Sequence, residues 1–83
     1  MQVNVRYFAS LREALGPQEP VVLPAGSTVG QLRALLQDRS PAHAERLDRD
    51  RAVRAALNQQ MCDETAVLTD GAEVAFFPPV TGG

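Results

Sequence analysis

Lysine is missing from these 83 residues altogether, and all eight cationic side chains are arginines. No side-chain amine is therefore present to act as nucleophile, general base, Schiff-base former or acyl acceptor. A reaction that needs one must borrow it from a partner. Cysteine occurs once, as Cys62, and histidine once, as His43. One cysteine excludes an internal disulfide framework and agrees with a reducing compartment. One of each cannot supply the four N/S ligands of a structural zinc site or the four thiolates of an iron–sulfur cluster, so no metal is expected. The stretch Gly26-Ser27-Thr28-Val29-Gly30 lacks the lysine and the spacing of a phosphate loop, so nucleotide should not bind to this chain alone. No run approaches the roughly 18 apolar residues of a membrane span. Met1 to Arg6 alternates and has no signal-peptide core, which points to the cytoplasm. With a net charge of −2 there is no basic footprint, and neither nucleic acid nor a membrane is an expected partner.

What is present suffices for one small domain. Val3, Val5 and Tyr7 alternate with Gln2, Asn4 and Arg6, the pattern of a half-buried strand over Met1 to Phe8. A helical turn over Ser10 to Leu15 is stopped by Gly16-Pro17, and Pro20 to Pro24 reads as a second strand bounded by prolines. Thr28 and Gln31 have capping-box spacing ahead of Leu32, Leu35 and Leu36, so the main helix is predicted from Thr28 to Arg39. Ser40-Pro41 opens a shorter helix through Leu47, with His43 on its surface. The mixed charges of Arg46 to Arg51 suggest a solvated connector. Ala52 to Leu57 is a third strand closed by Asn58. Met61 to Leu68 is ambiguous, with a turn at Asp63-Glu64 and an extended piece at Ala66 to Leu68. Asp70-Gly71 is a turn, and Glu73 to Phe77 the last strand. The order implies an α+β fold, a mixed sheet with one principal helix and a short second one. Cys62 has no neighbouring cation or helix N-terminus to activate it and is read as structural.

The last strand runs into Pro78-Pro79-Val80-Thr81-Gly82-Gly83. The prolines fix φ near about −65° and donate no hydrogen bond, so the strand must stop and a stiff spacer begin. Gly82 and Gly83 have no Cβ and suit a slot too narrow for a side chain. Residues 1–77 are thus expected to form the domain and 78–83 an extended tail. Six residues span at most about 20 Å at roughly 3.3 to 3.6 Å each, enough to enter another protein's active site. The terminal carboxylate of Gly83 then becomes the candidate reactive group. It is a poor electrophile until a partner converts it to an acyl-adenylate with ATP, after which sulfur can capture the acyl group and leave a thiocarboxylate.

Asp70 to Gly83, with Phe76-Phe77-Pro78-Pro79-Val80-Thr81-Gly82-Gly83 as its specific part, resembles the C-terminal signature of the MoaD family, small subunits of molybdopterin synthase. Val5-Arg6-Tyr7-Phe8-Ala9, Leu11-Arg12-Glu13, Thr28-Val29, Leu32 and Ala56-Leu57-Asn58 extend the likeness over nearly the whole chain. Ala72 departs from it, standing where many members carry an acidic residue. The resemblance implies a β-grasp, ubiquitin-like fold. It implies that Gly83 is adenylated by a MoeB-like enzyme, becomes a thiocarboxylate, and gives sulfur to cyclic pyranopterin monophosphate in a site on a MoaE-like large subunit, within a heterotetramer. The catalytic lysines would belong to that subunit. No stably bound cofactor is implied, only the acyl-adenylate and thiocarboxylate as transient forms. Two other roles fit such a tail: sulfur supply to thiamine thiazole or tRNA thiolation, and ubiquitin-like modification of target lysines.

Phe76 and Phe77 fall on opposite faces of the last strand, so one of them should be poorly covered by the helix and free to anchor a partner. The competing reading places both in the core.

Overall fold

In the computed structural model, which describes residues 1–79, the alternation at the start of the chain becomes β1 (Gln2–Tyr7). Val3, Val5 and Tyr7 are at most 1% exposed, and their neighbours face the other way. After α1 (Ala9–Leu15) and the Gly16 stop, at φ 90°, comes β2 (Gln18–Val22). It pairs antiparallel with β1 and contains Pro20, where the sequence suggested a strand beginning at that proline. Two facts permit this. β2 is an edge strand, and the Asn4 N–H opposite Pro20 is spent on the Ala72 carbonyl at 2.9 Å, on β1's other side. The missing proline N–H therefore leaves no ladder bond unmade.

The main helix, α2 (Val29–Gln37), starts on the expected capping box: the Thr28 hydroxyl accepts from the Gln31 N–H at 3.2 Å, and the Thr28 N–H donates to Gln31 Oε1 at 2.8 Å. Val29, Leu32 and Leu36 have no exposed surface, each burial stabilising by about 1.5 to 3 kcal/mol. Ser40 caps α3 (Pro41–Arg46), with proline at its first turn.

The segment after α3 differs from a solvated connector. Leu47 is wholly buried, and the backbone folds around the guanidinium of Arg33, which is 4% exposed. Arg33 Nε donates to the Leu47 carbonyl at 2.9 Å, and Nη2 donates to the carbonyls of Arg51, at 2.9 Å, and Asp48. Nη1 meets Glu64 Oε2 at 2.6 Å. Only the side chains of residues 48 to 51 face solvent.

β3 (Arg54–Leu57) and β4 (Gln60–Cys62) form a hairpin through Asn58 and Gln59, both left-handed at φ 49° and 71°. That is the two-residue turn whose twist suits a hairpin. Asn58 is also tied to the last strand: its N–H donates to the Glu73 carbonyl at 2.8 Å and its Oδ1 accepts from the Glu73 N–H at 3.0 Å. Val67 adds an isolated bridge to Thr28. The turn at Gly71, φ 82°, leads to buried Ala72 and then β5 (Glu73–Phe77).

The five strands form one mixed sheet in the order β2-β1-β5-β3-β4, with β1 and β5 parallel and the other pairs antiparallel. This is the β-grasp arrangement. Residues of β1, β2, β5 and the helices close one core, in which Val74 and Phe76 are at most 1% exposed. Opposite lies a sheet face on which no helix packs among the described residues, and β5 at the sheet's centre carries the chain out to Pro78.

Candidate functional site

Parallel pairing of β5 with β1 sets Arg6 beside Ala75 and Tyr7 beside Phe76. Antiparallel pairing with β3 sets Arg54 opposite Phe77 and Ala56 opposite Ala75, and Met61 of β4 lies beyond Ala56. Side chains alternate along each strand, so Phe77, Ala75, Ala56 and Met61 share the uncovered face with Arg6 and Arg54. The half-buried Phe77 ring stacks on Phe8, with centroids 4.8 Å apart and planes at 13°. Arg6 sits 5.4 Å over the Phe8 ring and 3.7 Å from Glu73. Met61 is 58% exposed. Ala56 and Ala75 are themselves buried, at 6% and 7% exposed, so the apolar strip on this face is presented by Phe8, Phe77 and Met61, bordered by arginines, beside the start of the tail.

Of the two phenylalanines, Phe76 is corrected from candidate docking residue to core: it is 1% exposed and its ring lies 6.4 Å from that of Tyr7. Phe77 is the one left half-buried on the open face. Phe8, Met61, Arg6 and Arg54 were not singled out from the sequence. The alternation of β1 marks Arg6 and Phe8 as outward, but only the strand register brings Phe8, Phe77, Ala56 and Met61 together.

Pro78 is half-buried and Pro79 exposed at the root of the tail. Val80, Thr81, Gly82 and Gly83, which include the expected reactive end, lie outside the described residues.

His43 is also a correction, because it is not a surface residue. Its side chain is 13% exposed, with Nδ1 2.7 Å from Ser40 Oγ and Nε2 2.8 Å from Glu19 Oε2. Glu19 in turn accepts from the Tyr7 hydroxyl at 2.6 Å and from Arg39 at 2.5 Å. Burial by itself would raise the Glu19 carboxyl, but the hydrogen bonds from Tyr7, His43 and Arg39 outweigh it and hold the group below its ordinary value. Burial and Glu19 together push the Tyr7 hydroxyl far up. The serine, histidine and carboxylate superficially follow a nucleophile's arrangement. However, Ser40 Oγ already accepts the His43 N–H as the cap of α3, and the carboxylate is shared among three donors. The cluster ties β1, β2 and α3 together.

Partial burial and the adjacent Asp63 raise the Cys62 thiol, which opposes thiolate chemistry at neutral pH. Among the described residues no three His, Cys, Asp or Glu side chains gather where they could hold a metal ion, and no helix is long and apolar enough to cross a membrane.

The ThiS family model matches residues 5–83. The molybdopterin synthase sulfur carrier subunit of Mycobacterium tuberculosis is 41% identical over 85 aligned positions that cover 100% of this chain and 99% of the relative. Among solved structures, SAMP1 from Haloferax volcanii superposes with a TM-score of 0.86 at 27% identity, covering all of both chains. A protein–protein complex of subunits 1 and 2 of molybdopterin-converting factor from Helicobacter pylori contains a chain that superposes at 0.72, with 30% identity and complete coverage of both.

Proposed function

The chain belongs to the ThiS family and is a sulfur carrier subunit of the molybdopterin synthase type, and on that footing we propose that its reactive group is the carboxylate of Gly83. The observation that carries the reading is the end of β5: a central strand delivers Phe77, Pro78 and Pro79 to the sheet's end, beside an uncovered apolar strip. The domain spans residues 1–77 and the tail 78–83.

A MoeB-like enzyme supplies the activation. A Gly83 oxygen attacks the α-phosphorus of ATP and pyrophosphate leaves. A persulfide sulfur then displaces AMP from the acyl-adenylate, and a thiol reduces the resulting disulfide bond to leave the thiocarboxylate. On the large subunit, that sulfur attacks cyclic pyranopterin monophosphate, and hydrolysis of the acyl–sulfur bond returns the carboxylate. Two such cycles supply both sulfurs of the dithiolene. Gly82, Thr81, Val80, Pro79 and Pro78 thread the partner's channel. The prolines reduce the conformational entropy lost on insertion. Phe77, with Phe8 and Met61, docks the domain at the channel mouth. Because this chain has no lysine, the amine needed at the reacting centre comes from the large subunit. The likeness to a two-subunit complex supports that partner, and the heterotetramer and the cytoplasmic setting are parts of the same reading.

Deletion of Gly83 tests the mechanism. Folding stability should stay within about 0.5 kcal/mol, while molybdopterin formation is lost. Restored molybdopterin synthesis by the truncated chain would refute the terminal-carboxylate mechanism.

SAMP1 is a small archaeal modifier protein, and that likeness favours one further reading, a protein modifier whose Gly83 is joined to target lysines. Lysine-linked conjugates of the chain in cell extracts would support it.

A further inference from the structure

The chain is net acidic, yet four of its eight arginines converge where β5 gives way to the tail. Arg6 lies beside Ala75 and Arg54 opposite Phe77. Arg46 and Arg51 line, with Pro78, Pro79, Ser10 and Leu11, a cavity of about 230 Å³. Their pairing within the molecule is weak. Arg46 has no carboxylate within 4.0 Å among the described residues, and Arg51 has only the exposed Glu45, at 3.7 Å. By contrast, Arg33, Arg39 and Arg49 each hold a carboxylate at 3.1 Å or closer.

The backbone carrying the two arginines is also held in place. Arg33 grips the carbonyls of Leu47, Asp48 and Arg51, and Gln37 Nε2 donates to the Leu47 carbonyl as well. A segment fixed in this way loses little freedom when a ligand arrives. Guanidinium groups match carboxylates through paired N–H donors.

We propose that the Arg46–Arg51 cavity is a socket for an acidic side chain, an Asp or Glu at the mouth of the large-subunit channel that takes the tail. The proposal rests on the sulfur-carrier reading above. Pro78 and Pro79 form one wall of the cavity, so a protein that closes over the tail root also closes over the socket. Arg54, and Arg6 at 3.7 Å from Glu73, add positive charge along the neighbouring Phe77 strip. Charges placed in this way steer encounter and fix the docking register.

The test is titration calorimetry of the full chain against its large subunit at about 50 and about 300 mM salt, either side of the ionic strength at which surface charges become largely screened. The Arg46→Gln/Arg51→Gln double variant should bind about tenfold more weakly at low salt, with the gap narrowing at high salt. Arg49→Gln, which removes a charge paired with Glu64, should stay within about twofold of wild type. Arg46→Lys/Arg51→Lys, which keeps the charge, should recover to within about threefold, whereas a loss as large as with glutamine contradicts the charge account. Unchanged binding by the glutamine double variant overturns the socket and leaves the sulfur-carrier reading standing. Failure of the wild-type chain to bind its large subunit overturns both.

Discussion

Replacing Arg33 with methionine should be among the most damaging single changes in this molecule, although its side chain faces neither the tail nor the Phe77 strip. The guanidinium is 4% exposed and donates to three backbone carbonyls, of Leu47, Asp48 and Arg51, as well as to Glu64. Methionine keeps much of the apolar stem's packing but removes the donor those carbonyls share, leaving each with one other: Gln37 Nε2 for Leu47, the Arg51 N–H for Asp48 and the Val53 N–H for Arg51. A hydrogen bond from a charged group contributes about 1.5 to 3 kcal/mol, and because no acceptor is left wholly unpaired, the further penalty of an orphaned one does not apply. The Glu64 pair counts for little because that carboxylate is 35% exposed. Some carbonyls will recover water, so the expected loss is about 3 to 5 kcal/mol rather than the full sum. At about 4 to 8 °C per kcal/mol for a domain of this size, the thermal midpoint should fall by at least about 12 °C. Urea unfolding measures the free energy directly, and an unchanged slope would confirm that the native state and not the unfolded chain is affected. A loss below about 1 kcal/mol would show that the buried guanidinium does not organise the segment from Leu47 to Arg51.

The two adjacent phenylalanines should separate cleanly. Phe76→Ala opens a core cavity and should cost about 3 to 5 kcal/mol in urea unfolding. Phe77→Ala loses chiefly the stack on Phe8, about 0.5 to 1.5 kcal/mol, but should weaken large-subunit binding at least tenfold by calorimetry, and unchanged affinity would remove Phe77 from the interface. Acid sensitivity should trace in part to Glu19. Its native carboxyl is held below the ordinary 4.5, so its contribution is complete above that pH and is lost as pH falls through the lower native value. Thermal midpoints measured from neutral pH down to about pH 3 should therefore decline less steeply in Glu19→Gln than in wild type, and parallel curves would contradict this.

Local rules made most of the fold legible. The period of two in β1, the Thr28–Gln31 capping box, the Ser40-Pro41 start and the Asp70-Gly71 turn each carry their cause within a few residues, and all four appear in the structure. What could not be read depended on long-range partners. The β3–β4 hairpin turns on Asn58-Gln59, where Gln59 takes a left-handed conformation usually left to glycine, so nothing local announced β4. Pro20 enters a strand only because that strand is an edge. Residues 46 to 51 look like a solvated run until Arg33, on another element, is seen to hold their carbonyls. His43 becomes half-buried only through Glu19, 24 residues away. At the candidate site the sequence marked the tail and Phe77, while Phe8, Met61 and the bordering arginines needed the register of four strands.

The central claim is that sulfur travels on the backbone carboxyl of Gly83. The most direct check is the intact mass of the purified chain after incubation with its adenylating enzyme, ATP and a persulfide donor, with fragmentation to locate the change. Replacement of one oxygen by sulfur, confined to the fragment containing Gly83 and absent without ATP, is the predicted result. An unchanged mass, or sulfur found on Cys62 instead, would contradict the account.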